Sequence, residues 1–248
     1  MCDIAEICRR VLFKFKIGED ACGYSGKGSS FLISSMDHCY WVAALHSIGP
    51  SPSSINTSIN TLKVTPSDDA EIYLPFDEKY GWLNPEDQAE YKDICMLRVN
   101  LTEYLEYGDG KLKSVDIDLG FFAAKDLLQD EELFVVGYPA ESNEVDYDAQ
   151  KINNTRVVLK AKYMGFSEYA ADYYHKIMVN SSIYLEDFDG LSGGPVFCTR
   201  DQLIDGVMLP RYLLVGMVIR GGASSGILRF IGSEVIKSIV DNIENIPT

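Results

Sequence analysis

The sequence predicts an all-β chain built as two antiparallel β-barrels, and three observations carry that prediction. Short β-prone segments recur through both halves, separated by turn-forming residues rather than by long helical periods. A turn-rich stretch, Tyr107-Gly108-Asp109-Gly110-Lys111, falls near mid-chain, where a connection between two barrels belongs. Apolar residues make up 46% of the 248, enough to fill a sizeable core. The predicted division is 1–110 for a short N-terminal helix and the first barrel, and 111–248 for the second barrel and a C-terminal helix.

Taken in order, Asp3 followed by Glu6 forms a cap-like opening, and Ile4, Ile7, Cys8 and Val11 fall on one helical face. That predicts a short helix packed on a barrel. From Val11 to Ile17 apolar residues alternate with lysines, the pattern of a half-buried strand. Strands near 30–35, 39–44, 60–65, 71–75 and 93–99 complete the first barrel. Asp68, Asp69, Glu71, Glu78, Glu86, Asp87 and Glu90 make 66–92 a solvated acidic stretch. Second-barrel strands follow at 113–117, 133–137, 155–164, 176–183, 195–198, 211–219 and 226–231. Beyond Gly232 and Ser233, the residues Ile236, Ile239, Val240 and Ile243 share one face, which predicts a closing helix.

Charge and cysteine usage narrow the function. A net charge of −15 disfavours nucleic acid and anionic membrane as partners, because like charges repel over a Debye length of ~8 Å at physiological salt. A cationic peptide is attracted instead. No run of 18 apolar residues predicts a membrane span. The opening MCDIAEICRR has no basic region followed by an apolar one, so it does not read as a secretory signal. Six cysteines without a CxxC pair read as reduced thiols of a cytoplasmic protein, and nothing in their pattern calls for a metal or another cofactor.

The chemistry centres on Asp189-Gly190-Leu191-Ser192-Gly193-Gly194-Pro195-Val196-Phe197. A serine between glycines suggests a tight turn that exposes one hydroxyl and turns backbone N–H groups toward whatever lies above it. Serine is a weak nucleophile, so acyl transfer also needs a histidine base and a carboxylate to orient it. The three histidines, His38, His46 and His175, all precede Ser192. In α/β-hydrolases the histidine follows the serine, so that fold is excluded, and the order His, Asp, Ser stays open.

Further segments join this one in a fixed order. Gly28-Ser29-Ser30-Phe31-Leu32-Ile33 precedes Tyr40-Trp41-Val42-Ala43-Ala44-Leu45-His46, and Asp93-Ile94-Cys95-Met96-Leu97 follows. Phe134-Val135-Val136-Gly137-Tyr138-Pro139, the Ser192 turn and Leu214-Val215-Gly216-Met217-Val218 complete the series. Together they resemble the trypsin-like serine proteases, in particular bacterial intracellular ones. The resemblance implies a chymotrypsin-like pair of six-stranded antiparallel barrels and a serine endopeptidase acting on polypeptides. It makes Ser192 the nucleophile, His46 the general base and Asp93 the carboxylate that orients it, with Asp69 and Asp87 as competing carboxylates. The backbone N–H groups of Gly190 and Ser192 would bind the oxyanion. His38 and His175 lie in no such motif and read as structural, and no cysteine sits in a glycine turn to replace Ser192.

The resemblance also places Glu186, six residues before Ser192, at the base of the pocket for the substrate residue preceding the cut, with Ile219, Gly221 and Gly226 as walls. A carboxylate there selects Arg or Lys. Two readings compete with it: Arg220 could pair with Glu186 and fill the site, or Glu186-Asp187-Phe188-Asp189 could be a solvated acidic loop. Leu191 stands where secreted trypsins carry the Asp that captures a newly cut N-terminus, and Ser47 where they carry a cysteine after the histidine. Control by a regulatory or sensor partner is therefore expected in place of zymogen cleavage. The alternatives are a catalytically silent peptide-binding or scaffold module on the same fold, and an esterase or acyltransferase using the same three residues.

Overall fold

The computed structural model describes residues 4–17, 21–49, 59–68, 72–80, 93–108, 112–143, 145–146, 151–152, 155–168, 173–180, 185–204 and 206–245. Asp3, residues 69–71 and 81–92 of the acidic 66–92 stretch, Asp69 and Asp87 among them, and residues 109–111 lie outside them.

The fold is all-β, a pair of β-barrels of the chymotrypsin-like kind. The chain opens with a 3-10 turn at Ile4–Ile7 in place of the expected α-helix, then enters strand β1 (Cys8–Ile17) directly. Cys8 and Val11 are therefore strand residues, and the shared helical face read from the sequence ends after one turn. Strand β2 runs over Ala21–Ser35, far longer than the 30–35 segment expected, and pairs with β1 from Cys8↔Phe31 to Ile17↔Ala21. Gly23, Gly26 and Gly28 weaken its local β signal, and pairing with β1 overrides that weakness. A bulge interrupts the ladder between Val11 and Leu12: Val11 faces Gly28 and Leu12 faces Gly26, so Lys27 is the extra residue.

Strand β3 (His38–Ala44) and a one-turn helix α1 (Leu45–Ile48) follow, then β4 (Leu62–Lys63), β5 (Phe76–Tyr80) and β6 (Ile94–Val99). The sheet order is β4-β1-β2-β3-β6-β5. Its ends are drawn together where the Leu74 N–H donates to the Val64 carbonyl over 2.7 Å. Helix α2 (Leu101–Tyr107), not among the expected elements, starts at Asn100, whose side chain caps the Glu103 N–H, and takes in Tyr107 of the expected turn. Strand β7 (Val115–Asp116) was expected in the second barrel. It adds instead to the first sheet, parallel to β2 through Ile33↔Val115, and makes that sheet seven-stranded rather than six-stranded.

The second barrel is closed and six-stranded. It comprises β8 (Glu132–Gly137), β11 (Val157–Phe166), β12 (Tyr174–Val179), β13 (Pro195–Ile204), β14 (Val207–Gly222) and β15 (Ile227–Gly232), with a two-stranded flap of β9 (Val145–Asp146) and β10 (Lys151–Ile152) outside it. β13 and β14 run on past the barrel as a hairpin to Ile204↔Val207, well beyond the expected 195–198 and 211–219. Helix α3 (Ser233–Glu244) closes the chain and buries Ile236 and Val240, as its periodicity predicts.

Three apolar clusters hold this together. Val11, Leu32, Trp41 and Leu97 fill the first barrel, and Leu133, Leu159, Ile177 and Phe230 fill the second. Phe31, Tyr40, Val136, Tyr138, Phe197 and Ile236 form a third cluster that fuses the barrels. That fusion matters for function, because the candidate residues come from both sides of it.

Candidate active site

Register in the first sheet brings His46 to Asp93. Ala44 at the end of β3 pairs with Ile94 at the start of β6, so the residues just beyond each strand face one another. The Leu45 N–H donates to the Asp93 carbonyl over 3.1 Å, which fixes the corner. Both Asp93 carboxylate oxygens then engage His46: Oδ1 accepts the backbone N–H over 2.9 Å, and Oδ2 lies 2.6 Å from Nδ1. The carboxylate holds the orientation of the residue as well as that of its ring. The imidazole is 48% exposed and Asp93 19%, so the ring can meet a ligand while its anchor is sheltered. Among the described residues nothing hydrogen-bonds His46 Nε2.

Ser192 sits in the turn before β13, and that turn is clamped between the barrels. Its carbonyl accepts the Ser29 N–H of β2 over 2.9 Å. Gly193 donates to the Val218 carbonyl over 2.7 Å, and Val218 returns a bond to the Gly194 carbonyl over 2.8 Å. Ser29 adds a side-chain bridge, its Oγ donating to the Gly190 carbonyl over 2.6 Å and accepting the Tyr138 N–H over 2.9 Å. Gly190 and Gly193 have φ of +87° and +85°, the left-handed region that glycine enters without strain. A Cβ at Gly190 would lie 2.7 Å from the Ala140 nitrogen, so no larger residue fits.

These bonds also orient two backbone donors. The Asp189 carbonyl accepts the Ala140 N–H and the Leu191 carbonyl accepts the Gly194 N–H. In a trans peptide the N–H points opposite to the C=O. The N–H groups of Gly190 and Ser192 therefore point away from those partners, and among the described residues no acceptor meets either one. The Ser192 hydroxyl itself donates to the Ile219 carbonyl over 2.8 Å, not to His46.

His46, Ser192 and Gly190 line one cleft of about 320 Å³, together with Asp189, Ala140, Asn143, Tyr138, Ser47, Arg10, Gly26, Lys27 and Gly28. Glu186, Ile219, Gly221 and Gly226 are not in its wall. Glu186 is exposed, and its N–H donates to the Glu141 carboxylate over 2.9 Å. Phe188, almost fully buried, packs at Gly221, where an added Cβ would lie 3.1 Å from its ring. Gly226 has φ of +67° and backs onto Met178. Arg220 is exposed. His38 lies at the exposed start of β3, away from the cleft. His175 is fully buried, its Nδ1 2.8 Å from the Tyr163 hydroxyl and its ring stacked on Phe230. Sequence reasoning missed Arg10, Lys27, Ser29, Ser47 and Asn143. The one signal available was a lysine between two glycines, the composition of a bulge.

Among the described residues no cluster of three His, Cys, Asp or Glu could hold a metal ion, and no helix is long and apolar enough to cross a membrane. Cys8, Cys39, Cys95 and Cys198 are buried thiols, none of them in a disulfide among the described residues. Burial pushes the thiols of Cys8, Cys39 and Cys198 up to about 12.

No family model matches the chain, and no curated protein matches its sequence. Its fold is similar to that of a solved structure of the HtrA-type protease AlgW with a decapeptide: the TM-score is 0.60 at 12% identity over 97% of this chain. The chain spans 65% of that protein's length. At this identity the likeness establishes the fold, a trypsin-like protease architecture, and the residues above must argue the chemistry themselves.

Proposed function

We propose that this chain is a serine endopeptidase in which Ser192 attacks the scissile carbonyl, His46 takes the hydroxyl proton and returns it to the leaving amine, and Asp93 holds the imidazole with its proton on Nδ1. The observation that carries the reading is the double contact of one carboxylate with the backbone and ring of His46, in a cleft shared with Ser192. Such an anchor leaves Nε2 as the ring's acceptor and stabilises the imidazolium that forms. The N–H groups of Gly190 and Ser192 serve the oxyanion, a contribution of about 100- to 1000-fold per donor in comparable enzymes. A decapeptide bound to a protein of like fold agrees with a polypeptide substrate.

The bond from Ser192 to Ile219 favours a resting state. A hydroxyl has one proton, and here it is committed to a carbonyl, so Oγ must turn toward His46 before it can react. Substrate or a regulatory partner supplies that turn in our reading. We further propose that the residue preceding the cut lies between Glu186 and the Ile219–Gly221 segment with Gly226 behind, and that it is Arg or Lys. Because Glu186 is exposed, its pull is a screened interaction of about 1 kcal/mol or less, worth roughly fivefold in preference. Four buried thiols outside any disulfide support a reducing compartment such as the cytoplasm.

A fluorophosphonate probe tests the central claim. It labels the wild-type protein at Ser192 and leaves Ser192→Ala unlabelled; equal labelling of both refutes Ser192 as nucleophile. A wild type that binds peptides but resists the probe under all conditions supports the silent module instead. The same material, offered a peptide library, reads the Arg or Lys preference.

A further inference from the structure

The turn that carries Ser192 needs help to keep its shape. Gly190 and Gly193 sit at φ +87° and +85°, and a glycine moves between several backbone regions at little cost, so bonds from outside the turn must select this one. Two of them come from a single residue of the other barrel. The N–H groups proposed to receive the oxyanion belong to Gly190 and Ser192, and the carbonyls of these same two residues both bond to Ser29 of β2. The Ser192 carbonyl accepts the Ser29 N–H over 2.9 Å, and the Gly190 carbonyl accepts the Ser29 hydroxyl over 2.6 Å.

The surroundings are fitted to that hydroxyl. Ser29 is fully buried, and its Oγ gives its proton to Gly190 while accepting the Tyr138 N–H over 2.9 Å, just beyond β8. Residue 137 leaves room for it, because a Cβ at Gly137 would stand 2.9 Å from the same oxygen. Alanine at position 29 would keep the backbone bond to Ser192 and lose both side-chain bonds. The peptide joining Gly190 to Leu191 would then lose its tie to the first barrel, and that peptide lies between the two proposed donors.

We propose that Ser29 is a positioning residue for the oxyanion site, its hydroxyl holding the Gly190–Leu191 peptide and, through it, the spacing and direction of the Gly190 and Ser192 N–H groups. The role rests on the endopeptidase reading, since it serves the transition state of that reaction. Negative charge gathers on the carbonyl oxygen after the substrate has bound, so a loosened site slows the chemical step and leaves affinity almost unchanged.

Ser30 supplies the control. It is equally buried, and its hydroxyl also makes two bonds, donating to the Arg9 carbonyl over 3.0 Å and accepting the Trp41 Nε1–H over 2.7 Å, but it faces the opposite side of β2, toward Trp41 in the first barrel. Ser29→Ala and Ser30→Ala should each lower the melting temperature by a few degrees, so stability alone does not separate them. Saturation kinetics of fluorophosphonate labelling at Ser192 do, because they divide the maximal rate from the affinity and the phosphoryl oxygen takes the place of the oxyanion. We expect Ser29→Ala to lower the maximal rate about 10- to 100-fold and to move the affinity by less than about threefold, with Ser30→Ala within about threefold of wild type on both. Amide hydrogen exchange, read by NMR, follows the turn without any reaction: Ser29→Ala should speed exchange at Leu191 and Gly194 roughly tenfold, and Ser30→Ala should not. A maximal rate in Ser29→Ala equal to that of Ser30→Ala, or exchange in the turn unchanged from wild type, overturns the role. A wild type that is never labelled refutes Ser192 as nucleophile, and the exchange rates then decide by themselves whether Ser29 holds the turn.

Discussion

Asp93→Asn separates an orienting carboxylate from a mere cap. An amide has one acceptor and one donor where the carboxylate has two acceptors. The His46 backbone N–H, 2.9 Å from Oδ1, needs the acceptor, so the amide NH2 must face Nδ1. It donates to Nδ1, and the ring proton moves to Nε2, the atom that should receive the proton of Ser192. Turning the amide the other way sets two N–H groups against each other at about 1–3 kcal/mol, and the lost charge removes a further ~1.5–3 kcal/mol from the imidazolium. At 1.36 kcal/mol per tenfold, these together slow the reaction by about 100- to 10,000-fold. The assay is the second-order rate of fluorophosphonate labelling at Ser192. Melting temperature serves as the control and should move by only a few degrees, because the oxygen facing the His46 N–H is retained. A labelling rate within tenfold of wild type refutes the role of Asp93.

Other consequences can be checked by simpler means. Gly193→Ala places a Cβ against the Ser29 carbonyl and 3.0 Å from the Ala44 nitrogen at φ +85°, so it should cost about 3 kcal/mol or more and lower the melting temperature by roughly 6–12 °C. Gly206→Ala has a similar φ, +81°, with nothing within 4 Å, and should cost only about 1 kcal/mol; equal losses would show that the clash at the interbarrel seam is not real. In native protein at pH 8 the thiols of Cys8, Cys39 and Cys198, held near 12 by burial, should resist Ellman's reagent and react once unfolded in guanidinium. Glu234 is held below its ordinary range: burial opposes this, but the Ala124 N–H, which donates to the carboxylate, and the nearby imidazole of His175, with Nε2 3.7 Å away, prevail. A lowered folded pKa gives stability that is present above the unfolded value of about 4.3 and lost as pH falls through the folded one. Glu234→Gln should thus destabilise at pH 7 and flatten the acid limb of a stability–pH curve; an unchanged limb would remove Glu234 from the account.

Much of the fold was legible because its elements obey local rules. The alternation from Val11 to Ile17 gave β1, and the face formed by Ile236, Ile239, Val240 and Ile243 gave α3. What escaped was set by distant partners. The glycine-rich half of β2 is a strand only because β1 lies along it, and Val115–Asp116 joins the first sheet because β2 has a free edge there. The N-terminal helix was misjudged for the same reason: Cys8 and Val11 fit a helical face, but pairing with Phe31 and Gly28 claims them for the sheet.

The candidate site divides along the same line. Ser192 was legible because glycines at positive φ mark its turn, and His46 and Asp93 because the segments around them resemble those of the trypsin-like proteases. Arg10, Lys27, Ser47 and Asn143 follow no such rule. They meet because β1, β2, α1 and the loop after β8 converge on the seam between the barrels, and a one-residue pairing offset at one bulge decides that Lys27 stands in the cleft wall. The two sets therefore differ in tolerance. Moving the bulge by one residue would turn Lys27 to the other face of β2 and leave the bond from Ser29 to Ser192, two residues further on, in place. Residues of the cleft wall can thus be exchanged in this architecture while the His46, Asp93 and Ser192 geometry stays fixed, which is why the proposed reaction can be argued from sequence and a choice of substrate requires the fold.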